Sequence, residues 1–317
     1  MKILLVKTSS MGDVIHNLPV LNDIVVAQPG AGIDWVVEDS FAGIPKLHPG
    51  LRRVLPVAIR RWRASWWRTE ARADIRAFLA ELKTESYDAV IDTQGLWKSA
   101  ILARCARGSR SGFDWRSSRE PVALFYQRTF SVPWSQHAVQ RNRMLASLAL
   151  GYSLREPPDY GITAPRANFA WTPKRPYAVF IHGTSARSKL WLDECWVELG
   201  RHLGRESVRT VLPWGNSAER ERAERISALL PEAVVPPAIT ISDAASLIAG
   251  ARACIGVDTG LTHLAGALKV PTVGIYVSTD PAATGLYGCA RAVNLGGIGK
   301  TPSVEQVRAA LDQLLSS

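Results

Sequence analysis

Cysteine is scarce in this chain of 317 residues, and none of the four (Cys105, Cys195, Cys254, Cys289) belongs to a CxxC pair. That spacing argues against a zinc ribbon or a disulfide framework and suits a reducing compartment. No apolar run approaches the roughly 20 residues that a membrane span needs. The opening ILLV run is too short for a signal-peptide core, so a cytoplasmic location is expected. The phosphate loop GxxxxGK[ST] is missing. The turn after the first apolar run holds Gly12 alone, where a dinucleotide fingerprint GxGxxG needs three glycines. A nicotinamide-dependent oxidoreductase is therefore a poor reading. Zinc-finger spacing and RNP-type aromatic motifs are lacking too, which leaves no nucleic-acid module.

What is present is ordinary in amount: 47% hydrophobic and 21% charged residues, at a length that suits two domains. Short apolar runs alternate with helical patterns. Strands are expected at 1–6, 33–37, 53–57, 87–92 and 112–113, then at 177–181, 207–212, 252–257 and 272–277. Helices are expected at 14–26 (bent or split at Pro19), 68–83, 98–106 and 137–150, the last closed by Gly151. Further helices are expected at 193–203, 217–230, 243–250 (capped by Ser242), 260–268 and 304–315 (capped by Ser303 with Gln306). Strands alternating with helices mean an α/β fold with parallel sheets. Pro157, Pro158, Pro165, Pro173 and Pro176 crowd a polar stretch that reads as a linker. The expected division is a first domain over 1–160 and a second over 161–317, with a cleft between them.

The net charge of +10 is unevenly spread. Between Arg52 and Arg76 lie eight arginines against two acids, Glu70 and Asp74, with Trp62, Trp66 and Trp67 interleaved. Guanidinium forks bind phosphate and carboxylate, and tryptophan favours a polar–apolar boundary. An anionic glycolipid would use both. A solvated helix whose charges bind nothing is the plainer alternative.

Two junctions carry the chemistry. In Lys7-Thr8-Ser9-Ser10-Met11-Gly12-Asp13 a strand feeds a helix, which places Asp13 where ligands gather in open α/β sheets. Asp13 there is either a general base or simply a helix cap. In 253–267 a second strand, turn and small-residue helix carry Asp258, Thr259, Thr262 and His263. A helix N-terminus of this kind seats phosphate, although an ordinary βα junction would look similar.

The segments KTSSMGDVIHNLPVL, VAIRRWR, FIHGTSARSKLW, LPWG and GVDTGLTHLAGAL resemble the heptosyltransferases of lipopolysaccharide core assembly, bacterial glycosyltransferase family nine, and among them the heptosyltransferase I branch. The likeness runs from residue 1 to about residue 300 in the family's order. It implies the GT-B fold, two facing Rossmann-like domains, with the acceptor on the first and the nucleotide sugar mainly on the second; whether the last helix packs back on the first domain stays open. It implies inverting transfer of heptose from ADP-L-glycero-β-D-manno-heptose to a Kdo residue of Kdo2-lipid A. The enzyme would sit peripherally on the cytoplasmic face of the inner membrane. Asp13 matches the proposed catalytic base, with Ser10 and Gly12 shaping its turn. Thr184, Ser185 and Lys189 match donor-diphosphate ligands, Lys189 also neutralising the leaving group. Glu219 matches a ribose ligand, and Asp258, Thr259, Gly260, Leu261 and His263 match groups around the sugar and phosphates. Arg60, Arg61 and Arg63, with Lys7 and Arg119, match the acceptor side. Asp-x-Asp is absent, so no metal ligand and no cofactor are expected. Val277-Ser278 replaces the family's usual Gly-Pro before Thr279-Asp280-Pro281, and leaves the contacts of that loop, with Gly285 and Tyr287, open. His16 and His182 are read as structural. A sister enzyme adding a later heptose, and a non-catalytic binder of anionic glycolipid, are the alternatives.

Overall fold

Five consecutive residues without a charge beyond the first, Lys2–Val6, form the central strand β1 of a sheet covered on both faces, which is why Ile3 to Val6 are fully buried. The computed structural model describes residues 1–316, and the chain divides into two compact units, Met1–Ile162 and from Thr163 onward. In the first unit β1 is joined by β2 (Gly32–Glu38), β3 (Leu51–Val57), β4 (Ser86–Asp92), β5 (Arg107–Phe113) and β6 (Arg128–Phe130). All pairings are parallel and the order is β3-β2-β1-β4-β5-β6. This is the order of a dinucleotide-binding sheet, with its reversal of direction between β1 and β4.

The second unit repeats the scheme with β7 (Tyr177–Ile181), β8 (Arg209–Val211), β9 (Ala253–Val257), β10 (Thr272–Tyr276) and β11 (Ala292–Gly296). These strands are again parallel, in the order β11-β10-β9-β7-β8. Its reversal lies between β7 and β9. Each unit has its own core. Leu4, Val36, Val90 and Ala100 belong to one; Phe180, Trp191, Trp196, Ile255 and Val307 belong to the other. The last helix, Val304–Ser316, contributes Val307 and Leu311 to the core of the second unit.

The α/β class and parallel sheets stand as the sequence implied, and several elements differ in detail. The expected helix 14–26 is two helices, Met11–Ile15 and Leu18–Ala27, and Pro19 sits in the first turn of the second, where its missing N–H costs nothing. The helix expected to start at 243 begins at Ile241. Its cap is Thr240, whose hydroxyl accepts from the Asp243 amide at 3.1 Å. A helix over Ile59–Ser65, and the strands β6 and β11, were not foreseen. Among the described residues no helix is long and apolar enough to cross a membrane.

Candidate active site

At the β1/β4 reversal the loops leaving the two strands part, and a cavity of about 160 Å³ opens there. Lys7, Ser10 and Asp13 reach it from the β1 side, Gln94 and Lys98 from the β4 side. Arg119 and Arg141 complete its charged wall. Asp13 is not the cap of its helix: it lies at the third helical position, and Ser10, the residue that caps, donates to its Oδ2 from both amide (3.0 Å) and hydroxyl (2.8 Å). Gly12 lies between them in the same short helix. Burial pushes the Asp13 carboxyl up, but the Lys7 ammonium and the Ser10 bonds outweigh it and hold the group below the ordinary carboxylate value. Lys7 itself is buried and its pKa lowered by burial. Its Nζ donates to the Thr93 carbonyl at 2.9 Å.

The turn that carries Asp13 is clamped from β4. Gln94 Oε1 accepts from the Thr8 amide (2.7 Å) and hydroxyl (2.8 Å), while its Nε2 donates to the Ser9 carbonyl at 2.9 Å. Arg141 lies over the Trp134 ring at 3.6 Å, and burial, with Arg119 alongside, draws its guanidinium down to about 10. Neither Gln94 nor Arg141 was foreseen. Their relevance follows only once β4 is known to lie beside β1 and β5 beside β4.

The second unit gathers its residues at the β7/β9 reversal. Lys189 pairs with Asp258 at 2.7 Å, and Thr279 donates to the same carboxylate at 2.8 Å. His263 Nε2 lies 3.5 Å from the other oxygen. Burial pushes the Asp258 carboxyl up, and His263, Lys189 and Thr279 together pull it far below the ordinary range. Thr184 donates to the Asp258 carbonyl at 3.1 Å. Thr259 begins the helix Gly260–Ala267, with Gly260 and Leu261 in its first turn. That helix closes tightly on β9, since a Cβ at Gly256 would meet the Thr262 hydroxyl at 2.1 Å. Glu219 accepts from the Gly215 amide at 2.7 Å and packs against Gly183, next to Thr184. Ser185 is exposed in the same loop. Both ends of that loop are held by one buried guanidinium: Arg222 donates to the His182 and Trp191 carbonyls and pairs with Asp193 at 2.7 Å. The sequence reading missed this clasp. His182 is fully buried and its imidazole is pushed down to about 4 by burial and Arg222, so it stays neutral.

The basic segment does not act as one patch. Arg52 and Arg53 on β3 turn inward to the buried Asp34, at 2.7 and 2.8 Å. Arg60, Arg61 and Arg63 stand exposed on helix Ile59–Ser65, with Arg61 3.2 Å from Asp74. They are not part of the Asp13 cavity wall, to which Lys7 and Arg119 contribute.

A model of glycosyltransferase family 9 (heptosyltransferase) matches residues 75–312. The chain belongs to glycosyltransferase family 9. It is 49% identical to lipopolysaccharide heptosyltransferase 1 of Pseudomonas aeruginosa over 299 residues, 93% of this chain and 84% of that protein. Against the enzyme of the same name from Escherichia coli K12 it is 46% identical, over 91% of each chain. The solved structure of the E. coli heptosyltransferase WaaC with ADP matches at a TM-score of 0.91 and 41% identity, covering 99% of this chain and 100% of that one. WaaC with ADP-2-deoxy-2-fluoro heptose matches at 0.86 and 40% identity, covering 100% and 99%. As a family-9 member the chain is a glycosyltransferase.

Proposed function

We propose that this glycosyltransferase moves L-glycero-D-manno-heptose from ADP-heptose to a Kdo residue of Kdo2-lipid A, inverting the anomeric centre without a metal. The observation that carries the reading is the carboxylate of Asp13, held ionised by Lys7 and Ser10 inside a cation-walled cavity at the β1/β4 reversal of a family-9 chain. The acceptor oxygen attacks the anomeric carbon as the bond to the ADP phosphate breaks. The electron pair of that bond leaves with ADP, and the hydroxyl proton passes to Asp13. A carboxylate of low proton affinity suits late transfer, once bond formation has made the hydroxyl acidic. No covalent enzyme intermediate is required.

Lys189, Thr184 and Ser185, with the first turn of helix Gly260–Ala267, receive the diphosphate, and Glu219 takes the ribose. Asp258 holds Lys189 at 2.7 Å and so fixes the ammonium that meets the diphosphate. Arg119 and Lys7 face the acidic acceptor, and Arg60, Arg61 and Arg63 meet its further charges. The lipid acceptor places the enzyme peripherally on the cytoplasmic face of the inner membrane.

The test is ADP release from ADP-heptose in EDTA, with and without Kdo2-lipid A, for wild type and Asp13→Ala. Acceptor-dependent release is expected, falling roughly 10²- to 10⁴-fold in the variant while its fold stays intact. Folded wild-type protein that releases no ADP with bare Kdo2-lipid A, but does so with a heptosylated acceptor, would replace this reading with addition of a later heptose.

A further inference from the structure

Beside the Asp13 cavity the first unit holds a second hollow, an apolar groove of about 640 Å³. It runs among helices Ile59–Ser65, Thr69–Leu82 and Trp97–Cys105. Trp62, Ile75, Phe78, Trp97 and Ile101 line it, with the Trp62 and Phe78 rings 5.7 Å apart. Trp97 and Ile101 remain 45% and 50% exposed, an unusual cost for large apolar side chains on one helix. Leu96 and Lys98 line this groove and the Asp13 cavity alike, so the two hollows share a wall.

We propose that this groove seats an acyl chain of the lipid acceptor while the sugar end of the same molecule lies at Asp13. The inference rests on the acceptor assignment above and deepens it. Three observations select the occupant. The groove is concave and apolar, and its volume is in the range of small-molecule sites, which fits a flexible chain. Its lining carries two cations, Arg63 and Lys98, against one acid, Glu120, and Arg60 and Arg61 stand on the same helix as Arg63, so the positive balance matches an anionic head on an apolar tail. The shared wall at Leu96 and Lys98 gives one amphiphile continuous contact from tail to reacting hydroxyl. Trp66 and Trp67, 60% and 58% exposed just beyond helix Ile59–Ser65, suit the boundary where such a tail leaves a bilayer.

The test separates the groove from turnover. A lysophosphatidic acid with a brominated acyl chain, kept below its micellar concentration, should quench the tryptophan fluorescence of the full chain in a saturable way. Ile101→Glu should weaken that binding about tenfold, because burying the tail would then strand a carboxylate. Ile101→Leu should leave it unchanged. In steady state, Ile101→Glu should raise KM about tenfold for the acylated acceptor and leave KM for the fully deacylated saccharide as in wild type. Ile101→Phe, which fills the groove without a charge, gives the same contrast should the glutamate variant fail to fold. Absence of saturable quenching, quenching that Ile101→Glu does not alter, quenching by anionic vesicles only, or equal KM changes on both acceptors would each overturn the proposal. Monomer quenching lost in Ile101→Glu, together with no turnover on any Kdo acceptor, would retain an anionic-amphiphile site while the acceptor assignment fell.

Discussion

At Asp13 two opposed forces meet: burial disfavours the charged carboxylate, and the Lys7 ammonium with the Ser10 donors favours it more strongly. The group therefore loses its proton below the ordinary carboxylate value and stays ionised throughout the neutral range. Removing Lys7 deletes the largest stabilising charge but leaves burial in force, so the pKa must rise. In Lys7→Met the acid limb of kcat/KM should move up to higher pH, into a range where wild type is flat. A profile that does not shift would show that Asp13 ionisation does not govern the reaction. Gln94 works one step further back, since its amide holds Thr8 and Ser9 by three hydrogen bonds and so fixes the turn before Asp13. Gln94→Ala should cost kcat roughly 10²-fold, the order expected from a misplacement of about 1 Å, with acceptor KM little changed. An equal loss through KM alone would assign Gln94 to binding instead.

Among the elements, the loop 183–190 depends on Arg222 more than on its own sequence. Arg222→Met would leave the buried His182 and Trp191 carbonyls without their donor, while the half-exposed Asp193 keeps Arg225 at 3.3 Å. The cost is about 1–3 kcal/mol for each buried acceptor left unpaired. A fall in Tm of about 10 °C, with a raised KM for ADP-heptose, is the expected result; a lower Tm with unchanged donor KM would limit Arg222 to stability. Arg222 also marks where sequence reading stops. Strands β1, β7, β9 and β10 are short apolar runs and announce themselves, whereas β6 (Arg128–Phe130) and β11 (Ala292–Gly296) are edge strands with no strong apolar run. The first five residues of β5, RGSRS, have no apolar side chain at all. The loops after β1, β7 and β9 carry motifs and were legible. The contributions of Gln94 and Arg141 depend on which strands are neighbours, and helix Ser217–Ser227 shows Arg222 only as one charge among many.

For the whole molecule, the +10 charge is concentrated in a way the fold makes explicit. Folding takes Arg52 and Arg53 out of play through Asp34, yet Arg60, Arg61, Arg63, Arg68, Arg72 and Arg76 all remain exposed on two successive helices of the first unit and the turn between them. Exposed charges act through solvent and are screened over about 10 Å at 0.1 M salt. Their field should therefore speed the encounter with an anionic acceptor or lipid surface rather than tighten the reacting complex. Raising NaCl from 50 to 500 mM should lower kcat/KM for Kdo2-lipid A about tenfold and leave kcat at saturation nearly constant. Replacing Arg68, Arg72 and Arg76 by glutamine should flatten that dependence without touching the groups at Asp13. A salt response as steep in the triple variant as in wild type would mean that the long-range field comes from elsewhere on the molecule, and that these arginines only solvate their helix.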